Sequence, residues 1–226
     1  MKKSLYKYLM IFISALLAGV FIAFGATTYL ICTSHDNYAF KILGSFLFGI
    51  GLFTIIVFKL WLYTGKVGYL IDNKLNYLLS LFVCLIGNMI GVVVTSLIIK
   101  QTYVIDETVM KLVKYLVEKK NNESAGELFV LSIMCGIMIY IAVEGYSRCE
   151  HYLGKVLFAF MPIVIFVLCG FEHVVANGCY YTYYGEISWK VFGWFLLIAL
   201  GNAVGSILIS SSLKFIKYLS KKSEGI

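Results

Sequence analysis

Glu172 and His173 stand side by side inside Val156 to Tyr184, a run with no other charged side chain. Holding an ionisable group at membrane depth costs about 3 kcal/mol, so such groups face a pathway or a partner. A histidine changes charge near neutral pH and can donate a hydrogen bond, or a proton, to the anion of a weak acid. The alternative is a core histidine with its bonds satisfied, beside a glutamate that ties helices together. A carboxylate on the path of an anion would repel it, so Glu172 reads as structural more readily than as a transporting group.

Other candidates follow from residue type and place. Gly44, Gly49 and Gly51 precede Leu52-Phe53-Thr54, and Gly170 precedes Phe171-Glu172-His173. Glycine lets the backbone leave a helix, which predicts a break at each place. Thr54 would then either hydrogen-bond a passing solute or cap the helix that follows. Phe53 would form an apolar constriction that stops hydrated ions. Asn88 and Asn202 would either bond the loop backbones or sit at a helix contact beside Gly91 and Gly205. Lys155 would raise the local anion concentration at a mouth of the path, or simply anchor a helix end. Lys59 receives no role.

The elements that must position these residues are membrane spans. The chain is 61% hydrophobic and 14% charged with a single proline, far from the roughly 25% charged residues of a soluble domain, and a soluble globule is excluded. Six apolar runs stand out: Tyr8 to Ser34, Ile42 to Tyr63, Leu75 to Ile99, Leu128 to Val143, Val156 to Tyr184 and Val191 to Leu213. A helix needs about 20 such residues to cross the hydrocarbon core. Lys2, Lys3 and Lys7 before the first run suggest a signal peptide, but its 27 uncharged residues are too many for a signal core, so it reads as the first span.

The two halves repeat. Gly87-Asn88-Met89-Ile90-Gly91 recurs as Gly201-Asn202-Ala203-Val204-Gly205 at an offset of 114 residues, and Gly19 aligns with Gly136 at 117. An odd number of spans per copy inverts the second copy. The expected fold is therefore an all-α polytopic membrane protein forming one domain over 1–226. Repeat one covers about 8–100, an extracytoplasmic connector 101–126, and repeat two about 127–216, with the second and fifth helices broken. Their loops would meet near the midplane, where half-helix N-termini with free N–H groups attract an anion. Backbone of that kind survives in a bilayer only inside protein or beside water. Lysine and arginine number 11 on the side of the termini and 7 on the other, which puts both termini in the cytoplasm. Tyr180, Tyr181, Tyr183 and Tyr184 read as interfacial or lipid-facing.

Several function classes drop out. The net charge of +7 is met by anionic lipid at basic cytoplasmic ends, with no nucleic acid required. Six scattered cysteines and three distant histidines offer no metal-ligand spacing, and no cofactor is expected. No nucleophile stands next to a base, so an enzyme is not expected. A neutral-solute pore of the aquaporin kind would show paired Asn-Pro-Ala elements, and the only proline is Pro162.

Gly170-Phe171-Glu172-His173-Val174-Val175-Ala176-Asn177 resembles the signature of the formate/nitrite transporter family. Gly154-Lys155, Met161 to Val167, Gly49 to Thr54 and the two Gly-Asn elements resemble further family motifs in the same order. The resemblance implies an aquaporin-like homopentamer in the inner membrane. Each subunit would have one pore for small monovalent anions such as formate, nitrite, hydrosulfide or lactate. It further implies that His173 is the central pore histidine, Thr54 its partner, Asn202 a loop support, Phe53 and Phe166 constrictions, and Lys155 an electropositive vestibule. Glu172, Asn88, Asn177, Gly49, Gly51 and Gly170 would be structural supports. Two positions depart from the family pattern: Gly51, where an acidic or polar residue is common, and Gly178, where methionine is usual. Both reduce bulk. Formate or nitrite is the expected cargo, with proton coupling through His173 as an option and hydrosulfide as the alternative.

Overall fold

In lipid the backbone has no hydrogen-bond partner but itself, and long apolar runs accordingly fold as helices. The computed structural model describes residues 2–35 and 37–224. Its helices are α1 (Lys2–Thr33), α2 (Tyr38–Val57), α3 (Tyr63–Lys66), α4 (Tyr77–Lys100), α5 (Glu107–Asn122), α6 (Ala125–Arg148), α7 (Tyr152–Leu168), α8 (Val174–Tyr184) and α9 (Trp189–Ser223). A 3-10 turn, Val67–Asp72, continues α3. Helices α1, α2, α4, α6 and α9 are long and apolar enough to cross a membrane, and α7 is apolar but shorter.

Helix α1 packs on α4 and α2, α6 packs on α9 and α7, and α2 against α7 joins the two groups. Small residues let these backbones approach closely. A Cβ on Gly91 would lie 2.1 Å from the Leu16 carbonyl oxygen, and one on Gly205 would lie 2.0 Å from that of Ile133. Gly19 and Gly136 come equally near the carbonyls of Asn88 and Asn202, at 2.2 and 2.1 Å. The repeated glycines in the sequence are thus the contact points of two equivalent helix crossings. Gly205→Ala is expected to push α6 and α9 apart and lower stability by about 1–3 kcal/mol or more, read as a drop in the thermal midpoint of the purified protein.

The same backbone break occurs twice. After α2, Lys59 N–H donates to Ile56 and Leu60 N–H to Ile55; after α7, Gly170 N–H donates to Val167 and Phe171 N–H to Phe166. The left-handed residue is Lys59 at φ 53° in the first break and Gly170 at φ 69° in the second. This is the pairing of a Schellman helix stop, in which a left-handed residue turns the chain out of the helix. Gly170 meets that need without strain, whereas Lys59 bears a side chain there at a cost of about 1–2 kcal/mol.

The first break therefore lies at 58–62, and the expected break at Gly49 to Thr54 is corrected. Gly44, Gly49 and Gly51 all lie within α2. They are small for packing reasons: a Cβ on Gly49 would meet the Phe160 ring at 2.7 Å, and one on Gly51 the Phe21 carbonyl at 2.5 Å. A helix can carry glycine unbroken when a neighbour occupies the space, so the glycines did not mark where it stops.

The connector contains α5, capped by Asp106 and packed on the core through Val109, Val113 and Val117. Tyr180, Tyr181 and Tyr183 are buried rather than lipid-facing, because α8 lies inside the bundle. The last span continues as helix to Ser223, well past Leu213.

Candidate functional site

Each break is pinned by an asparagine. Asn88 Oδ1 accepts from Tyr63 N–H at 2.8 Å, while its Nδ2 donates to the carbonyls of Ala15 and Trp61 at 2.8 and 2.9 Å. Asn202 repeats the pattern: Oδ1 accepts from Val174 N–H at 3.1 Å, and Nδ2 donates to Ser132 and Glu172 carbonyls at 2.8 and 2.7 Å. Both side chains are fully buried. Backbone released from the helical ladder thus finds partners in side chains, as buried polar groups must. Asn202→Ala leaves the buried Val174 N–H and Glu172 carbonyl unpaired and is expected to cost about 3 kcal/mol. The readout is the thermal midpoint, with Asn88→Ala as the matched comparison.

His173 is the N-cap of α8. Its Nδ1 accepts from Ala176 N–H at 3.1 Å, and its Nε2 lies 2.9 Å from Thr64 Oγ1. An Nδ1 that accepts carries no proton, so the neutral ring holds its proton on Nε2, facing Thr64. The Tyr63, Val174 and Ala176 N–H groups have side-chain partners, so these three of the N–H groups at the two helix starts are not free. The side-chain groups able to bond a solute at this point are the imidazole N–H and the Thr64 hydroxyl.

Thr54 is not part of this pair. It sits within α2, where its hydroxyl donates to the Ile50 carbonyl at 2.9 Å. Thr64 takes the place expected for it, because the break follows the end of α2 at Val57 rather than the glycines. A signal for the break, though not for Thr64 itself, was present: subtracting the 114-residue repeat offset from His173 lands at 59, within the true break.

Two cavities reach this region. One of about 420 Å³ is lined by Leu52, Leu62, Lys59, Lys66, Tyr146 and Lys155, among others. Leu62 caps α3 as His173 caps α8, with nearly the same backbone angles. Lys66 lies over the Trp61 ring and Lys155 over the Tyr146 ring, at 5.5 and 5.6 Å. Lys59, given no role by the sequence, faces this cavity from its strained backbone position. The second cavity, about 70 Å³, is lined by His173, Phe166, Asn177, Lys120, Tyr29 and Tyr180, among others. Phe166 stacks on His173 at 5.9 Å and meets Phe48 edge-on at 5.5 Å. Phe53 instead packs on Phe160 and Tyr146 and lines neither cavity. Leu52 and Leu62 supply the apolar wall expected of it.

Glu172 is 1% exposed and fully engaged. One oxygen pairs with Lys120 from α5, and Oε2 accepts from Asn177 Nδ2 at 2.6 Å. Lys120 escaped the sequence reading because it looks like any charge on a polar connector. Nearby Glu123, at the end of α5, is held above the usual carboxylate range by burial and by the Glu172 carboxylate. Gly178 packs against Val92 and Met89, at 2.8 and 3.0 Å from where its Cβ would be, so the methionine usual in the family has no room here.

The sequence pattern that defines the Formate/nitrite transporter family matches residues 1–216. The chain belongs to this family. It is a multi-pass membrane protein. It is 30% identical to "Formate channel FocB" of Escherichia coli (strain K12) over 74% of this chain. That match spans 64% of the E. coli protein's own length. It is 25% identical to "Uncharacterized transporter YrhG" of Bacillus subtilis (strain 168), over 80% of this chain and 73% of the relative. Among solved structures it resembles "Pentameric formate channel with formate bound" at a TM-score of 0.83 and 23% identity, covering 97% of this chain and 99% of that one. It also resembles "FNT family ion channel" at 0.81 and 20% identity, covering 95% and 92%. At those identities the likeness fixes the family fold.

Proposed function

We propose that the protein is a channel for small monovalent anions of weak acids, formate foremost, built as a homopentamer with one path per subunit. The observation that carries this reading is the buried His173–Thr64 pair, held by two broken helices. The relatives named for formate support the choice of cargo. In this reading the chain is one domain of two inverted three-span repeats in the inner membrane, with both termini cytoplasmic.

An anion enters the larger cavity, where Lys59, Lys66 and Lys155 raise its local concentration. It then meets apolar side chains, Leu52 of α2 and Leu62 of the first break on one side and Phe166 of α7 on the other, which strip its water. The Nε2–H of His173 and the Thr64 hydroxyl replace part of the lost hydration. As arranged, the ring offers a hydrogen bond. A charged ring would have to give up the Ala176 N–H bond at Nδ1, so proton delivery requires the α8 cap to open. Glu172 is kept from repelling the anion by Lys120 and Asn177.

The test is flux in proteoliposomes with formate, nitrite, hydrosulfide and lactate side by side. Formate is expected to pass fastest, and no flux of any of the four through an intact, folded protein would sink the proposal. Thr64→Val removes one hydrogen bond worth about 1 kcal/mol and is expected to lower formate flux about fivefold. Thr54→Val is expected to leave it within about twofold. The reverse ranking would return the site to α2.

A further inference from the structure

A second polar pocket, about 210 Å³, lies where the 3-10 turn, α6 and α9 come together. It shares only Tyr69 with the larger of the two cavities near His173. Three cations line it: Arg148, Lys214 and Lys217. Two carboxylates line it as well, and both are already engaged. Glu144 accepts from Arg148 at 2.7 and 2.6 Å and from the Tyr69 hydroxyl at 2.6 Å, and Asp72 pairs with Lys214. Lys217 makes no ion pair among the described residues. Ser210 supplies a separate observation: it is 1% exposed, lines the pocket, and its hydroxyl has no hydrogen-bond partner.

Depth indicates what completes these groups. Leu213, also in the lining, ends the uncharged run of the last span, and Lys214 is the first charge beyond it. The pocket is therefore level with the boundary between hydrocarbon and headgroups. Basic pockets between helices at that level hold anionic lipid headgroups. Apolar surface for acyl chains adjoins it, since Leu213 and Leu208 of α9 are both exposed.

We infer that this pocket binds the phosphate of an anionic phospholipid, taken by Lys217, the free edge of the Arg148 guanidinium and the Ser210 hydroxyl. The bound lipid would brace the 3-10 turn that follows α3 against α6 and α9, stabilising the first break from outside the conduction path. Assigning it to the cytoplasmic leaflet rests on the orientation proposed above; the binding itself does not, and is measured in detergent.

The experiment titrates the purified full chain with phosphatidylglycerol, phosphatidylcholine or inorganic phosphate and follows the thermal midpoint. Phosphatidylglycerol is expected to raise the midpoint saturably while phosphatidylcholine does not. Lys217→Gln should weaken half-saturation about fivefold. Ser210→Ala should weaken it in the same direction. Neither change should alter formate flux by more than about twofold, which separates this site from the pore. An equal shift with phosphatidylcholine overturns the proposal, as does a phosphatidylglycerol shift unchanged in both variants. Inorganic phosphate that reproduces the shift and competes the lipid away overturns the lipid as occupant.

Discussion

Formate flux through His173→Ala is expected to fall about 10- to 100-fold in proteoliposomes that hold folded protein. Alanine removes the Nε2–H donor 2.9 Å from Thr64 while leaving the apolar side chains that dehydrate the anion. Hydrogen bonds to charged groups contribute about 1.5–3 kcal/mol, which sets that range. The substitution also removes the Nδ1 acceptor that caps α8, which frays the helix start and adds to the loss. His173→Asn separates the two effects, because asparagine is a strong N-cap. If its short amide restores the thermal midpoint but not the flux, the imidazole acts on the anion. Wild-type flux in His173→Ala would remove the histidine from the mechanism altogether.

Lys120→Ala is expected to lower the thermal midpoint on the order of 10 °C, the largest stability effect we foresee. The pair it breaks is nearly dry, with side-chain exposures of 13% for Lys120 and 2% for Glu172. Removing one partner strands a buried charge, which costs about 3–5 kcal/mol, whereas replacing both with apolar groups is close to neutral. The double variant Lys120→Met with Glu172→Leu should therefore recover most of the midpoint. Flux should not recover with it to the same degree, because Asn177 loses its acceptor on Glu172 and α8 its tie to α5. A double variant as unstable as the single one would mean that Lys120 acts through packing rather than charge.

Much of the architecture was legible because lipid leaves few alternatives. Runs of about 20 apolar residues must be helices, and the glycines at 19, 91, 136 and 205 recur because two crossings need the same close approach. The Gly-Asn elements were legible for a related reason. Each break frees backbone groups at depth, and an asparagine carries both the donors and the acceptor to satisfy them. Gly170 could be placed in the second break, where its positive φ is required.

The first break was not legible from composition. Its left-handed position is filled by Lys59, a residue type that gives no signal of a helix stop, while the conspicuous glycines a few residues earlier serve the contacts of α2 with Phe160 and Phe21. That misplacement carried Thr54 and Phe53 into the site and left Thr64 and Leu62 out.

By itself the sequence determined the class of protein, the recurring Gly-Asn elements, the family motif and the Glu172-His173 pair at the second break, because these depend on composition, period and local spacing. Only the tertiary structure decided that Thr64 faces the histidine and that Lys120 neutralises Glu172. Those facts depend on which side chains from distant segments converge, over separations of 109 residues for Thr64 and His173 and 52 for Lys120 and Glu172. No local pattern encodes such convergence; it follows from how the helices pack.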